Sequence, residues 1–296
     1  MSTDAIIIGG SFAGLAAATY LARARRRVRV IDAGRPRNRF AAASHGFLGH
    51  DGSDPRRILE TARAQLLAYP TVEIIESQAD ARADGEGFAV TLADGEEIAA
   101  RKLILAFGLR DELPDLPGVQ ERWGTSVLHC PYCHGIEFSD QPLGVLYRTA
   151  MSVHQASLIT EWGPVTLFLN GATLIGEEAA ELAARGVAVE PGPVDRLIGE
   201  GKNLSALALQ DGRQIDLSAL YVAPRSCLSS PLAERLGAEV EDGPMGPLIL
   251  TDAGKMTRVP GLYAAGDIAR APHSVSWAVA DGVTAGTSAH RALVFG

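Results

Sequence analysis

The chain opens with a rhythm of apolar and polar positions that spells out strand, turn, helix and strand. Ala5-Ile6-Ile7-Ile8 is short and wholly apolar, the pattern of a strand buried on both faces. Gly9-Gly10-Ser11-Phe12-Ala13-Gly14 interrupts it, and Leu15 to Ala22 follows as an alanine-rich helix. A second strand, Val28 to Ile31, ends at Asp32. Pro55 to Tyr69 has helical spacing in Ile58, Leu59, Ala62, Leu66 and Leu67. Val72 to Ile75, Phe88 to Leu92, Glu97 to Ala99 and Leu103 to Ala106 are predicted strands, with Asp84-Gly85 and Asp94-Gly95 as hairpin turns.

Leu113-Pro114-Asp115-Leu116-Pro117-Gly118 is dense in breakers and is predicted to cross between domains. The rhythm then resumes. Gly144 to Tyr147 and Pro164 to Leu169 are expected strands, and Met151 to Thr160 and Glu177 to Arg185 expected helices. Near the end, Leu262 to Ala265 is a strand running into Gly266-Asp267, and a small-residue helix follows His273-Ser274-Val275-Ser276-Trp277 as far as about Leu293. Strands alternating with helices place the chain in the α/β class.

Composition agrees. The 296 residues suggest about two domains, and 47% apolar with 21% charged residues allows a sizeable core. A formal net charge of -8 offers nothing to nucleic acid or to an acidic membrane surface. The one basic run, Arg23, Arg25, Arg26 and Arg27, falls at a predicted helix end, where cations suit the dipole. No signal peptide is expected, because Asp4 precedes an apolar run that passes directly into glycines. No apolar stretch reaches the ~20 residues of a membrane span. A cytoplasmic location is the expectation. Three cysteines are too few for a disulfide scaffold, so a Cys-x-x-Cys pair there points to catalysis or metal binding.

Two stretches carry the candidate chemistry. The first is the turn Gly9 to Gly14 between strand and helix. Small residues let the helix approach the sheet, and free N–H groups at its start face an incoming pyrophosphate. Asp32, 18 residues after Gly14, sits where a ribose-binding carboxylate belongs. Ser11 takes the place of the middle glycine of that pattern. Asn38 and Arg39, in the loop after the second strand, are candidate nucleotide contacts, whereas His45 and His50 are read as surface loop histidines. The Asp267 carboxylate at a strand end suits ribityl hydroxyls, and the helix start beyond it suits a negatively charged flavin ring.

The second stretch is His129-Cys130-Pro131-Tyr132-Cys133-His134. A thiolate in such a motif often has a lowered pKa. Four ligands within six residues do not surround one zinc ion easily, so redox chemistry is favoured over a metal and no metal site is assigned. Cys227 is read as a buried small residue. His134 is a candidate general base, His129 a weaker one, and His154 is left between packing and a substrate channel. The turn Tyr147 to Ser152, where a second glycine fingerprint belongs, has no glycine, and Asn170 to Thr173 offers no cation for a 2′-phosphate.

Gly9 to Gly14, Cys130-Pro131-Tyr132-Cys133 and Ala264-Ala265-Gly266-Asp267, in that order, make the chain resemble the thioredoxin reductase branch of the flavin disulfide oxidoreductases over nearly its whole length. The resemblance implies two Rossmann-like domains of three layers (ββα), the second inserted in the first. An FAD-binding domain would span 1–112 and 246–296, and a degenerate nucleotide-binding domain 113–245 with the Cys-x-x-Cys motif. It implies a homodimer, and it adds Ala79, Gly108, Ser274 and Val275 to the surroundings of FAD. By position, Cys133 is the sulfur beside the flavin and Cys130 the outer one. His134 replaces an aspartate of ordinary thioredoxin reductases. With the missing second fingerprint, this makes the chain most similar to dithiol oxidases of the gliotoxin and holomycin type. The expected activity is a flavin dithiol oxidase with O2 as acceptor. The alternatives are a disulfide reductase fed by ferredoxin or another non-nicotinamide donor, and a flavin redox sensor without turnover. The substrate is a small dithiol or a thioredoxin-like protein.

Overall fold

A computed structural model describes residues 3–243 and 245–296. Two large sheets organise them, the first mixed and the second all parallel. In the first, Val72–Glu76, Val28–Asp32, Thr3–Ile8, Glu97–Leu105, Gly87–Leu92 and Ala79–Asp84 lie side by side in that order. Leu262–Ala264, from the far end of the chain, pairs in parallel with Glu97–Leu105, setting Tyr263 beside Ile104. Ile7 is aligned with Val30 on one side and Ile104 on the other, and all three are fully buried. Continuous apolar runs are needed here because both faces of the sheet are covered.

Glu97–Leu105 is one strand rather than the two predicted segments. Its first half alternates buried and exposed residues beside the antiparallel Gly87–Leu92, and its last three residues are all buried in the parallel interior. The change of pattern, with Arg101 and Lys102 at the junction, mimics a break. Ala79–Asp84 is a mostly exposed edge strand whose polar sequence gave no strand signal. One face is closed by the helices Phe12–Arg23 and Val275–Phe295 packed together. Their approach requires glycine: a Cβ on Gly282 would stand 2.1 Å from the Ala13 carbonyl oxygen.

The second sheet runs Ala188–Glu190, Val165–Phe168, Leu143–Leu146, Ala219–Val222 and Val127–Leu128, all parallel. An antiparallel sheet of Val194–Glu200, Asn203–Leu209 and Gln214–Asp216, not anticipated from sequence, lies between its last two segments in the chain. The breaker stretch 113–118 leads from the strand Leu109–Glu112 to the short helix Val119–Arg122. Val127–Leu128 is an edge strand, and the Cys-x-x-Cys motif follows immediately from its carboxyl end. Carboxyl ends of parallel strands are where α/β sheets place their ligands.

Candidate functional site

An open cavity runs between the carboxyl ends of the two sheets. Its floor is the glycine turn: Gly9, Gly10, Ser11, Phe12 and Ala13 line it, with Asp32 at one side. Gly9 has φ +113, and a Cβ there would meet the Ala106 carbonyl oxygen at 2.1 Å. Gly10 N–H donates to Asp32 Oδ1 (3.1 Å), and a Cβ on Gly10 would fall 2.7 Å from the Asp32 side chain. Ser11 caps the helix with extended backbone and spends no side-chain hydrogen bond on it, so serine fits without strain. Arg63, on the helix Pro55–Leu67, pairs with Asp32 and donates to the Gly10 carbonyl at 3.2 Å.

The opposite wall comes from the chain's other end. Gly266, Asp267, Ser274 and Val275 line the cavity, as do Asn38 and Gly108. The Ser274 hydroxyl accepts from Trp277 N–H and so caps the long helix where it meets the cavity. Three predicted residues are not brought to the wall. Gly14 lies under the turn, where a Cβ would be 1.8 Å from the Gly9 oxygen, so its role is packing. Arg39 turns outward, donates to the Pro36 carbonyl and covers the Phe40 ring at 4.2 Å. Ala79 lines a separate shallow hollow with Leu232 and Arg235.

In place of Arg39, the loop sends Arg37 inward. Residues 37–40 form a 3₁₀ turn, in which positions three apart share a side, and Arg37 and Phe40 both line the cavity. Arg37 donates to Asp111 from two nitrogens (2.9 and 2.6 Å), to Asp267 (2.9 Å) and to Ser226 (3.2 Å), and lies 2.8 Å from His273 Nδ1. Burial pushes the Asp111 carboxyl up, but its bonds to Arg37 outweigh this and hold it below the ordinary range. Burial, then the Arg37 charge, pull His129 down to about 4, so it faces the cavity neutral. Sequence reading found the loop but missed Arg37, Asp111 and His273.

The dithiol closes the cavity. Cys130 caps the single-turn helix Pro131–His134, and its Sγ stands 2.7 Å from that of Cys133. The Cys133 thiol donates to Cys130, drawing the Cys130 pKa down to about 7 and pushing its own up. The two sulfurs are thus close enough to exchange a proton directly. His134 lines the same cavity, and burial lowers its pKa, leaving a neutral imidazole ready to accept a proton. Tyr132, 74% exposed, rests edge-on against Trp162 outside.

The corresponding strand–helix turn of the second sheet is built otherwise. Ser152 is fully buried, and its hydroxyl accepts from the N–H groups of Arg148 (3.0 Å) and Thr149 (3.4 Å). Donors that would face a phosphate are taken up by the chain itself. Cys227 lies on Arg225–Leu228, half-buried beside Glu112 and away from the dithiol cavity. Among the described residues, no three His, Cys, Asp or Glu side chains gather as a metal-binding set, and no helix is long and apolar enough to cross a membrane.

Residues 3–282 match the family model of the pyridine nucleotide-disulphide oxidoreductases. The chain is 33% identical to thioredoxin reductase tcpT of Claviceps purpurea, over 98% of its own length and 94% of that protein. Among solved structures it is similar to the oxidoreductase from Agrobacterium tumefaciens, with TM-score 0.95, 44% identity, and 100% and 99% of the two chains covered. It is also similar to HlmI, with TM-score 0.93, 40% identity and coverage of 99% and 93%.

Proposed function

We propose a function from one premise: the chain belongs to the pyridine nucleotide-disulphide oxidoreductase family and is a thioredoxin reductase-like oxidoreductase acting on sulfur groups. Within that family we read it as an FAD-dependent dithiol oxidase, with Cys130 and Cys133 as the relay and O2 as the final acceptor. The observation that carries this is the single cavity shared by the glycine cradle and the dithiol. The self-satisfied turn at Ser152 supports independence from a nicotinamide.

The cradle suits a dinucleotide, because Gly9 to Ala13 line the cavity at the start of the first helix and the Ser11 hydroxyl makes no cap bond to that helix. Gly9 to Ala13 would hold the pyrophosphate, Asp32 a ribose, and Asn38, Gly108, Asp267 and the start of the last helix the flavin half. When bound, FAD supplies the two-electron acceptor that returns the dithiol to its disulfide and is itself restored by O2.

The remaining chemistry belongs to the chain. His134 takes a proton from a substrate thiol, and the thiolate attacks Cys130, so the Cys130–Cys133 bond breaks with its electron pair on Cys133. The second substrate thiol then displaces Cys130. The products are a substrate disulfide and the reduced Cys130–Cys133 pair, which has gained the two electrons. The proposal includes FAD-domain limits of 1–112 and 246–296 around an insert at 113–245, a homodimer and a cytoplasmic location. The names of the reductase relatives favour a second reading, a disulfide reductase with a non-nicotinamide donor.

Anaerobic mixing tests both. Dithiothreitol should bleach the bound flavin and air should restore it, whereas NADPH should leave it yellow. Cys130→Ser should keep FAD and lose all dithiol-driven bleaching. Rapid bleaching by NADPH, or dithiol turnover surviving Cys130→Ser, overturns the oxidase reading.

A further inference from the structure

The loop carrying His45 and His50 reads as surface in the sequence, yet it is built to hold one histidine against the motif. An antiparallel bridge between Ser44 and Ser53 closes its base. Gly46, Gly49 and Gly52 have φ +70, +80 and +73, which lets the chain double back. Phe47 rests edge-on against Phe12 of the cradle, and the His50 ring stacks on Phe47. His45 is therefore presented inward, with only 22% of its side chain exposed.

Its ring meets that of His134 edge to face, with centroids 6.1 Å apart. Nε2 lies 3.4 Å from Glu137 Oε1, just beyond the motif helix, and Nδ1 lies 3.6 Å from Asp51 Oδ1. Asp51 is itself fixed by Gly46 N–H at 2.8 Å. Glu137 is 38% exposed and Asp51 75%, so the row runs from the dithiol cavity to open water. The charged and titratable groups facing His45 are thus His134, Glu137 and Asp51.

We propose that His45, paired with Glu137, is the second station of a proton path from the dithiol through His134 to the exposed carboxylates. This rests on the dithiol reading above and deepens it. A substrate S–H bond breaks and its proton joins His134, while the new S–S bond to Cys130 forms and the old one breaks onto Cys133. His134 then passes that proton to the His45–Glu137 pair, which releases it to water by way of Asp51. No electrons move in this second transfer, and His134 returns to its neutral form for the second thiol. His45 touches neither sulfur, so it is a positioning and relay residue. Glu137 and His45 act on His134 in opposite senses: burial lowers its pKa, Glu137 opposes this and His45 adds to it.

The test uses the holoenzyme, dithiothreitol as the probe, and the variants His45→Gln, His45→Ala and Glu137→Gln. Flavin bleaching under anaerobic conditions at neutral pH should slow about tenfold or more in each, part of the ~10²–10⁴-fold that general acid–base catalysis supplies. Added imidazole should restore His45→Ala, since a small carrier can reach a station beside exposed Asp51. Histidine NMR of the resting enzyme should show the His134 titration moving up in His45→Gln and down in Glu137→Gln. A His45 that only shapes the loop or the local field would give no imidazole rescue. Wild-type rates and pH profiles in His45→Gln overturn the path, as does slowing with no rescue and no shift. Should the His45 variants fail to fold, Glu137→Gln on the exposed turn carries the same NMR and rate readings. A wild-type protein that dithiothreitol leaves yellow refutes the parent reading instead, a result that the variants play no part in.

Discussion

The chain builds the strand-to-helix turn twice, and the two copies have parted. At Gly9 to Gly14 the backbone is stripped of side chains at the two points of closest approach, and Ser11 leaves its hydroxyl out of the helix cap. At Tyr147 to Ser152 no residue takes a positive φ, and Ser152 folds its hydroxyl back onto the Arg148 and Thr149 N–H groups. The same unmet donors that make a helix start an anion site can instead be met locally. One turn leaves its serine hydroxyl out of the helix cap, and the other spends its serine hydroxyl on the turn's own N–H groups. The sheet around each survives because its stability comes from buried apolar strands, which do not depend on what the turn binds.

The most severe way to break the comparison is Gly9→Ala. The added Cβ would lie 2.1 Å from a backbone carbonyl, which no rotamer change relieves, and alanine is strained at φ +113. The strain of a left-handed residue and the overpacking together suggest a cost of about 3–5 kcal/mol. We expect a colourless protein with a lowered melting temperature. A yellow, equally stable Gly9→Ala protein would show that this turn does not cradle the cofactor.

Next in size is Arg37→Ala. Arg37 is 19% exposed and holds Asp111 and Asp267, 9% and 22% exposed. Removing one partner of a buried ion pair leaves uncompensated charge, here at a cost of about 2–4 kcal/mol given the partial exposure. Arg39→Ala, two residues on, removes an exposed side chain and should stay within about 0.5 kcal/mol. Chemical denaturation of the two variants measures the difference, and equal effects would contradict the inward and outward assignment of this loop.

That pair of arginines also marks where sequence reading stops. The alternation of strands and helices was legible, because a buried parallel strand has to be apolar along its whole length. The glycine turn, Asp32 and the Gly266-Asp267 pair were legible as local patterns with fixed spacing. Arg37, Asp111, His273 and His45 were not, since their meaning comes from partners 74 to 236 residues away or across a loop, which no local pattern records. Nothing local tells Arg37 from Arg39, because the phase of a single 3₁₀ turn cannot be read from four residues. The polar edge strand Ala79–Asp84 was missed for the opposite reason: its position leaves it little to bury.

The smallest expected effect sharpens the comparison most. Ser152→Ala frees the Arg148 and Thr149 N–H groups at a cost of about 1 kcal/mol, the usual worth of a hydrogen bond, and removes no bulk from the turn's surface. If the serine alone had closed the second site, NADPH should now bleach the flavin. We expect it does not. Freed donors are only half of a phosphate cradle, and without glycine the backbone remains fenced by Cβ atoms from Arg148 to Met151. Stopped-flow absorbance with NADPH on Ser152→Ala decides between the two. Continued inertness with a slightly lowered melting temperature assigns the closure to the missing glycines, and renewed bleaching assigns it to one hydroxyl.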